Sequence, residues 1–235
     1  MAPETGGSVV QAEEQGAALA LLPLAATVIY YVLPPGIQDS LLIQFTPQLV
    51  AYTALGLWTL RNSGVSARLG LTCGGIRPGG RWGILTGFVL GCVNTGVILL
   101  LIPSLGYDVA FLKTTPHAQI PFVLMVPWFI GAIAVFVEVN FRGFLLGRLA
   151  ALESRFGKST GRRRLSPLPV LASALAFAFD PFMVETFRHL HWIAVWDGLV
   201  WGAIWIRTHN LFITIIAHAT EVIIMYCAVR AVLLP

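Results

Sequence analysis

The chain has 235 residues, of which 57% are hydrophobic and only 11% charged, with a formal net charge of +4. A mean hydropathy of +0.79 and a charge content far below the ~25% of a soluble domain exclude an ordinary water-soluble fold and indicate an all-α, polytopic membrane bundle of one domain. The basic balance does not indicate nucleic acid, because the arginines fall in the connections between apolar runs. Cys73, Cys92 and Cys227 form no CxxC and support neither a disulfide framework nor a thiolate metal site.

Residues 1–16 are small and polar and read as a disordered tail, with no basic stretch that would make a signal peptide. Residues 17–235 form the membrane domain. A helix needs about 20 apolar residues to cross a bilayer. On that rule seven spans are expected, near 17–33, 41–60, 82–103, 121–149, 168–183, 191–206 and 211–234. The fifth and sixth are short, so one of them is expected to be tilted, re-entrant or continuous with its neighbour.

Eleven lysines and arginines lie in the connections after spans two, four and six, against Lys113, Arg188 and Arg230 on the opposite side. The basic side is then cytoplasmic, with the amino terminus inside, in a bacterial-type inner or plasma membrane. The connection 61–81, rich in arginine and in glycine (Gly70, Gly74, Gly75, Gly79, Gly80), reads as an irregular surface segment near the headgroups. Its arginines set topology, as do those of 155–164. Gly83/Gly87/Gly91, Gly143/Gly147 and Gly198/Gly202 repeat the four-residue spacing that lets helix backbones approach closely.

The polar residues inside the spans carry the chemistry. Glu138 and Arg142 are four apart and share a helix face. A charge near the bilayer centre costs roughly 3 kcal/mol, so its presence calls for a reason. At 1.5 Å rise per residue from the basic end of each span, Glu138 and Asp197 lie about 15 Å deep, Arg142 about 9 Å, Asp180 about 18 Å, His218 about 12 Å and Glu221 about 16 Å. These six ionisable residues therefore fall in one slab on four helices. Spread against lipid, the five charged ones would cost on the order of 15 kcal/mol, so they are expected to pair or to line a wet cavity. Such a cluster can activate water, move protons or hold a metal. The flanking Phe177, Phe179, Trp196, Trp201 and Trp205 read as packing and interface residues.

The run Val137-Glu138-Val139-Asn140-Phe141-Arg142-Gly143, continuing through Leu149, resembles the first motif of the CAAX-protease and bacteriocin-processing (Abi) family of intramembrane endopeptidases. That motif is two glutamates, two further residues, then Phe-Arg-Gly. The segment Ser173–Phe177 resembles the family's second motif, a Phe followed four residues later by a His. The run ending at His218 resembles the third, a His followed by an Asn. The resemblance covers about residues 80–222. It implies a carboxylate-activated water attacking a peptide bond of a membrane-associated substrate, without a cofactor, and an oxyanion held by His and Asn.

Three positions depart from the family pattern: Val137 stands for the first glutamate, Pro181 for the second-motif His and Val222 for the Asn. A rebuilt site would use Glu138 or Asp180 as base, His218 as oxyanion donor or proton carrier and Arg142 to hold the carboxylate, with Asp197 and Glu221 as accessory groups. His189 and His191 are the substitutes at hand for the lost His. The alternatives are a non-catalytic binding or immunity-type relative, and a proton-coupled transporter using the same carboxylates.

Overall fold

The structure is a computed structural model that describes residues 14–156 and 167–233. Every element of these residues is helical, as expected. In chain order the principal helices are α1 (Ala17–Val32), α2 (Leu41–Arg61), α3 (Val65–Leu69), α4 (Ile76–Gly96), α5 (Phe122–Arg155), α6 (Pro167–Ala178), α7 (Pro181–Phe187), α8 (Ile193–Thr208) and α9 (Leu211–Leu233). Val65–Ser104, Phe122–Arg155 and Leu211–Leu233 are long and apolar enough to cross a membrane, and α6 with α7 makes a fourth candidate if the bent pair is one span. The chain is an integral membrane protein. Each of the seven expected runs falls on a helix, but among the described residues the count by length and composition is three or four. Gln44, Pro47 and Gln48 dilute α2, and α8 has only 16 residues.

The short fifth run proves to be two helices bent by 55°. Asp180 breaks them apart. Its backbone is extended, its side chain accepts from the backbone N–H of Phe182, and Pro181 follows at the first helical position. An acidic cap followed by proline is a strong helix start and cannot continue the preceding helix.

The glycines of 61–81 do not make an irregular loop. From Ile76 onward they belong to α4, and Gly70, Gly75 and Gly79 are small because α9 and the turn before it lie against them, whereas Gly64, Gly74 and Gly80 have open space. A Cβ on Gly79 would stand 2.5 Å from Phe212 Cβ, and one on Gly75 would stand 2.9 Å from Asn210 Oδ1. Asn210 also donates to the Gly75 carbonyl at 2.9 Å, and the Leu211 N–H donates to the Gly70 carbonyl at 3.0 Å. The stripe continues up α4. On Gly83 and Gly87 a Cβ would meet the carbonyl oxygens of Ile213 and Ala217 at 2.8 and 2.4 Å, and on Gly91 it would meet Ile224 Cβ at 3.0 Å. Backbone thus touches backbone along four turns, the close approach the spacing predicts. Gly198 likewise lies against the backbone of Ala174 in α6, while Gly202 receives the Val170 and Leu146 side chains. Gly143 and Gly147 also receive side chains, those of Leu69, Leu211 and Trp205.

At the other end of α5, Trp58, Phe144, Leu145, Leu146, Trp205 and Leu211 form one core. Of the tail read as disordered, residues 1–13 lie outside the described residues, whereas Glu14 and Gln15 are held. The Glu14 carboxylate pairs with Arg148 and accepts from Trp58 Nε1 at 2.9 Å, and Gln15 exchanges two hydrogen bonds with Asn62. Of the basic stretch 155–164, residues from 157 on lie outside the described residues.

Candidate active site

The site rests on α5, whose hydrogen bonding widens at Val139–Leu146 into a π-helical stretch just after Glu138. Such insertions cost regular helix geometry and are frequent at functional positions. Glu138 and Arg142 remain paired across it, Nη1 to Oε1 at 3.0 Å, and both are buried. The Arg142 guanidinium lies over the rings of Phe177 at 4.5 Å and Trp201 at 4.9 Å. These two aromatics, read as packing from sequence, form a cage that faces a desolvated cation with π-electron density.

From α9, His218 Nδ1–H donates to the same Glu138 Oε1 at 3.0 Å, a contact spanning 80 residues. A carboxylate can only accept, so Nδ1 carries the proton, and in the neutral imidazole Nε2 keeps a lone pair. The imidazole stacks on Trp201, centroids 4.7 Å apart and rings 22° from parallel. Arg142, Glu138 and His218 thus form one chain across two helices.

His218 lines a cavity of about 700 Å³ whose wall is mostly apolar. Glu138 and Arg142 do not reach that cavity; they sit behind the imidazole, 0% and 1% exposed. Val137 and Val222 are on the cavity wall, as are Asn140, Asp180, Asp197 and Glu221.

The remaining ionisable residues divide. Asp197 of α8 and Glu221 of α9 are brought together by Asn94 of α4. Its Nδ2 lies 3.1 Å from each Asp197 carboxyl oxygen and 2.6 Å from Glu221 Oε1. Trp196 Nε1 donates to Asn94 Oδ1 at 2.9 Å, which fixes the amide's orientation. Asp180 does not join either group. It caps α7 and accepts from Gln48 Nε2 at 2.8 Å, opening on the same cavity from another side.

His189 packs against Tyr107 and Phe111. His191 lines the cavity, with its ring edge-on to Phe179 and Nδ1 directed to the Arg188 carbonyl. Neither His shows a contact with Glu138 or His218 among the described residues. Among these residues, no group of three or more His, Cys, Asp or Glu side chains is arranged to hold a metal ion.

Sequence reasoning passed over Asn94, Asn140 and Gln48, because only ionisable residues were weighed. An amide in the middle of an apolar run is the signal that would have found them, since an unpaired one is costly in hydrocarbon.

Residues 119–224 match the family model described as Type II CAAX prenyl endopeptidase Rce1-like. The match bears out the resemblance read from residues 137–149 and takes in both Glu138 and His218, while the glycine stripe of α4 lies upstream of it. No curated relative and no solved structure matches the chain.

Proposed function

We propose that this Rce1-like chain is an intramembrane endopeptidase that hydrolyses a peptide bond of a prenylated, CAAX-type substrate held in the cavity beside His218. The observation that carries the reading is the 3.0 Å contact between His218 Nδ1 and Glu138, with the imidazole on the cavity wall and the carboxylate behind it.

Nε2 is the base. A water bound there gives it a proton as the water oxygen attacks the scissile carbonyl carbon. Glu138 does not touch the water. It fixes the imidazole's tautomer and orientation and stabilises the imidazolium that forms, the role of the carboxylate in a Ser-His-Asp triad. Arg142 keeps Glu138 ionised in a dry setting. The apolar wall suits a prenyl chain, which would bring the peptide to the imidazole.

The test is cleavage of a fluorogenic farnesylated peptide by the purified protein in liposomes. His218→Ala is expected to abolish cleavage. Glu138→Gln is expected to lower kcat on the order of 10³-fold or more, as loss of the orienting carboxylate does in a triad. Cleavage by His218→Ala at the wild-type rate would overturn the assignment.

A second reading, a non-catalytic binder of the same lipidated peptides, is favoured by Val137 and Val222. Both are on the cavity wall at positions where the resemblance places a glutamate and an asparagine. Tight binding of the farnesylated peptide by the wild type, with no product after prolonged incubation, would select it.

A further inference from the structure

We infer that Asp197 and Glu221, clamped by Asn94 on the cavity wall, act as a single-proton carboxyl pair that protonates the leaving amine during this hydrolysis. The inference rests on the hydrolytic reading above and adds the acid that reading lacks.

One amide nitrogen meets three carboxyl oxygens at 3.1, 3.1 and 2.6 Å, but an amide has only two hydrogens. Both acids are buried, at 4% and 2% exposure. Two carboxylates so close in a dry setting cannot both ionise; one keeps its proton, as in paired-carboxyl active sites. Asn94 is turned to serve them by Trp196, so the clamp is built rather than fortuitous.

The wall itself points to a ligand. Asn140, 2% exposed, has a side-chain carbonyl with no partner among the described residues, and so does the indole N–H of Trp201. Both residues line the cavity. One unused acceptor and one unused donor are what a peptide group, with its N–H and C=O, would satisfy. Asp197 and Glu221 also hydrogen-bond each other, side chain to side chain.

The step balances. Water gives a proton to His218 Nε2, and its oxygen bonds to the carbonyl carbon, whose π pair moves to the carbonyl oxygen. That pair then re-forms C=O as the C–N bond breaks, and the departing nitrogen takes the proton of the carboxyl pair. The imidazolium proton of His218 next passes to the pair, which restores both groups. The products are a carboxylic acid and an amine. While the pair is doubly charged, His218 is a cation. It faces Asp197 together with Arg142, and Glu138 faces Glu221. The extra negative charge therefore appears only when a matching positive charge is present.

The experiment compares the wild type, His218→Ala, Glu221→Gln and Asp197→Asn in liposomes with the farnesylated peptide, alongside thermal unfolding and infrared spectra at neutral pH. Glu221→Gln and Asp197→Asn are each expected to lower kcat about 10²-fold or more with KM within twofold. Each is also expected to remove the carbonyl-stretch band of a protonated carboxylic acid seen in the wild type. Retention of wild-type kcat in either variant, with His218→Ala inert, overturns the acid role alone. So does an infrared band that survives both substitutions. A wild type that cleaves no peptide overturns the hydrolytic reading and the acid role with it.

Discussion

Arg142 offers the sharpest test of how the site is held together. In Arg142→Met the side chain keeps its length and its contact with Phe177 and Trp201, but Glu138 is left fully buried with only the neutral groups His218 and Thr214 beside it among the described residues. Removing one member of a buried ion pair typically costs 3–5 kcal/mol, most of it from the charge left behind. The low end applies here, because His218 still donates to Glu138 and a methionine still fills the aromatic cage, so about 3 kcal/mol is expected. Arg142→Met/Glu138→Gln removes both charges and leaves a neutral acceptor for His218, and its cost should be about 1 kcal/mol or less. The more exposed Arg68–Glu14 contact, at 3.9 Å, sets the contrast, since such pairs contribute under about 1 kcal/mol. Equilibrium unfolding in mixed micelles measures all of these. If Arg142→Met costs under 1 kcal/mol, or if the double variant is as unstable as the single, the two residues are not coupled as described.

Gly87→Val should destabilise by about 1–3 kcal/mol in the same unfolding assay, because its Cβ would lie 2.4 Å from the Ala217 carbonyl oxygen. Gly96→Ala, at a position on the same helix with nothing within 4 Å, should be neutral or stabilise by up to about 1 kcal/mol; equal costs at both sites would refute the stripe's role. Asp180→Ala should lose about 1 kcal/mol of helix capping while peptide cleavage stays within threefold, and loss of cleavage without loss of stability would return Asp180 to the catalytic site. Gly70→Ala should destabilise, because the residue has φ of +84° and a Cβ there would meet the His209 carbonyl oxygen at 2.6 Å; an unchanged unfolding midpoint would show that the turn yields.

Some of this was legible in the sequence and some was not. Glu138 and Arg142 were paired by helix spacing alone, and His218 stood out as a polar group in an apolar run. That His218 would meet Glu138 was suggested only by depth, because rise per residue places a group along the membrane normal and says nothing about which face it occupies. Depth could not show that Asp180 would cap α7 and accept from Gln48 instead of joining Glu138, because the helix from residue 167 ends at Ala178 and the chain bends by 55° there. The glycines of 61–81 were misread because composition cannot distinguish a glycine that frees the backbone from one that makes room for Phe212 or Asn210. Asn94 was missed because it carries no charge, although it is 0% exposed and holds two acids in place.

The glycine stripe also decides which part of the molecule can yield. Two helices in backbone contact along four turns have no intervening side-chain layer to slide, so α4 and α9 travel as one rigid plate, carrying Asn94, His218 and Glu221 with them. The opposite margin of the chamber is fastened, among the described residues, by side chains such as Gln48 to Asp180 at 2.8 Å, Tyr31 hydroxyl to the Phe179 carbonyl at 2.9 Å, and the stacked rings of Phe45 and Phe182. These three clasps meet at the bend between α6 and α7. The margin of the chamber that can open is therefore the bend, and Asn94, His218 and Glu221 lie on the side away from it.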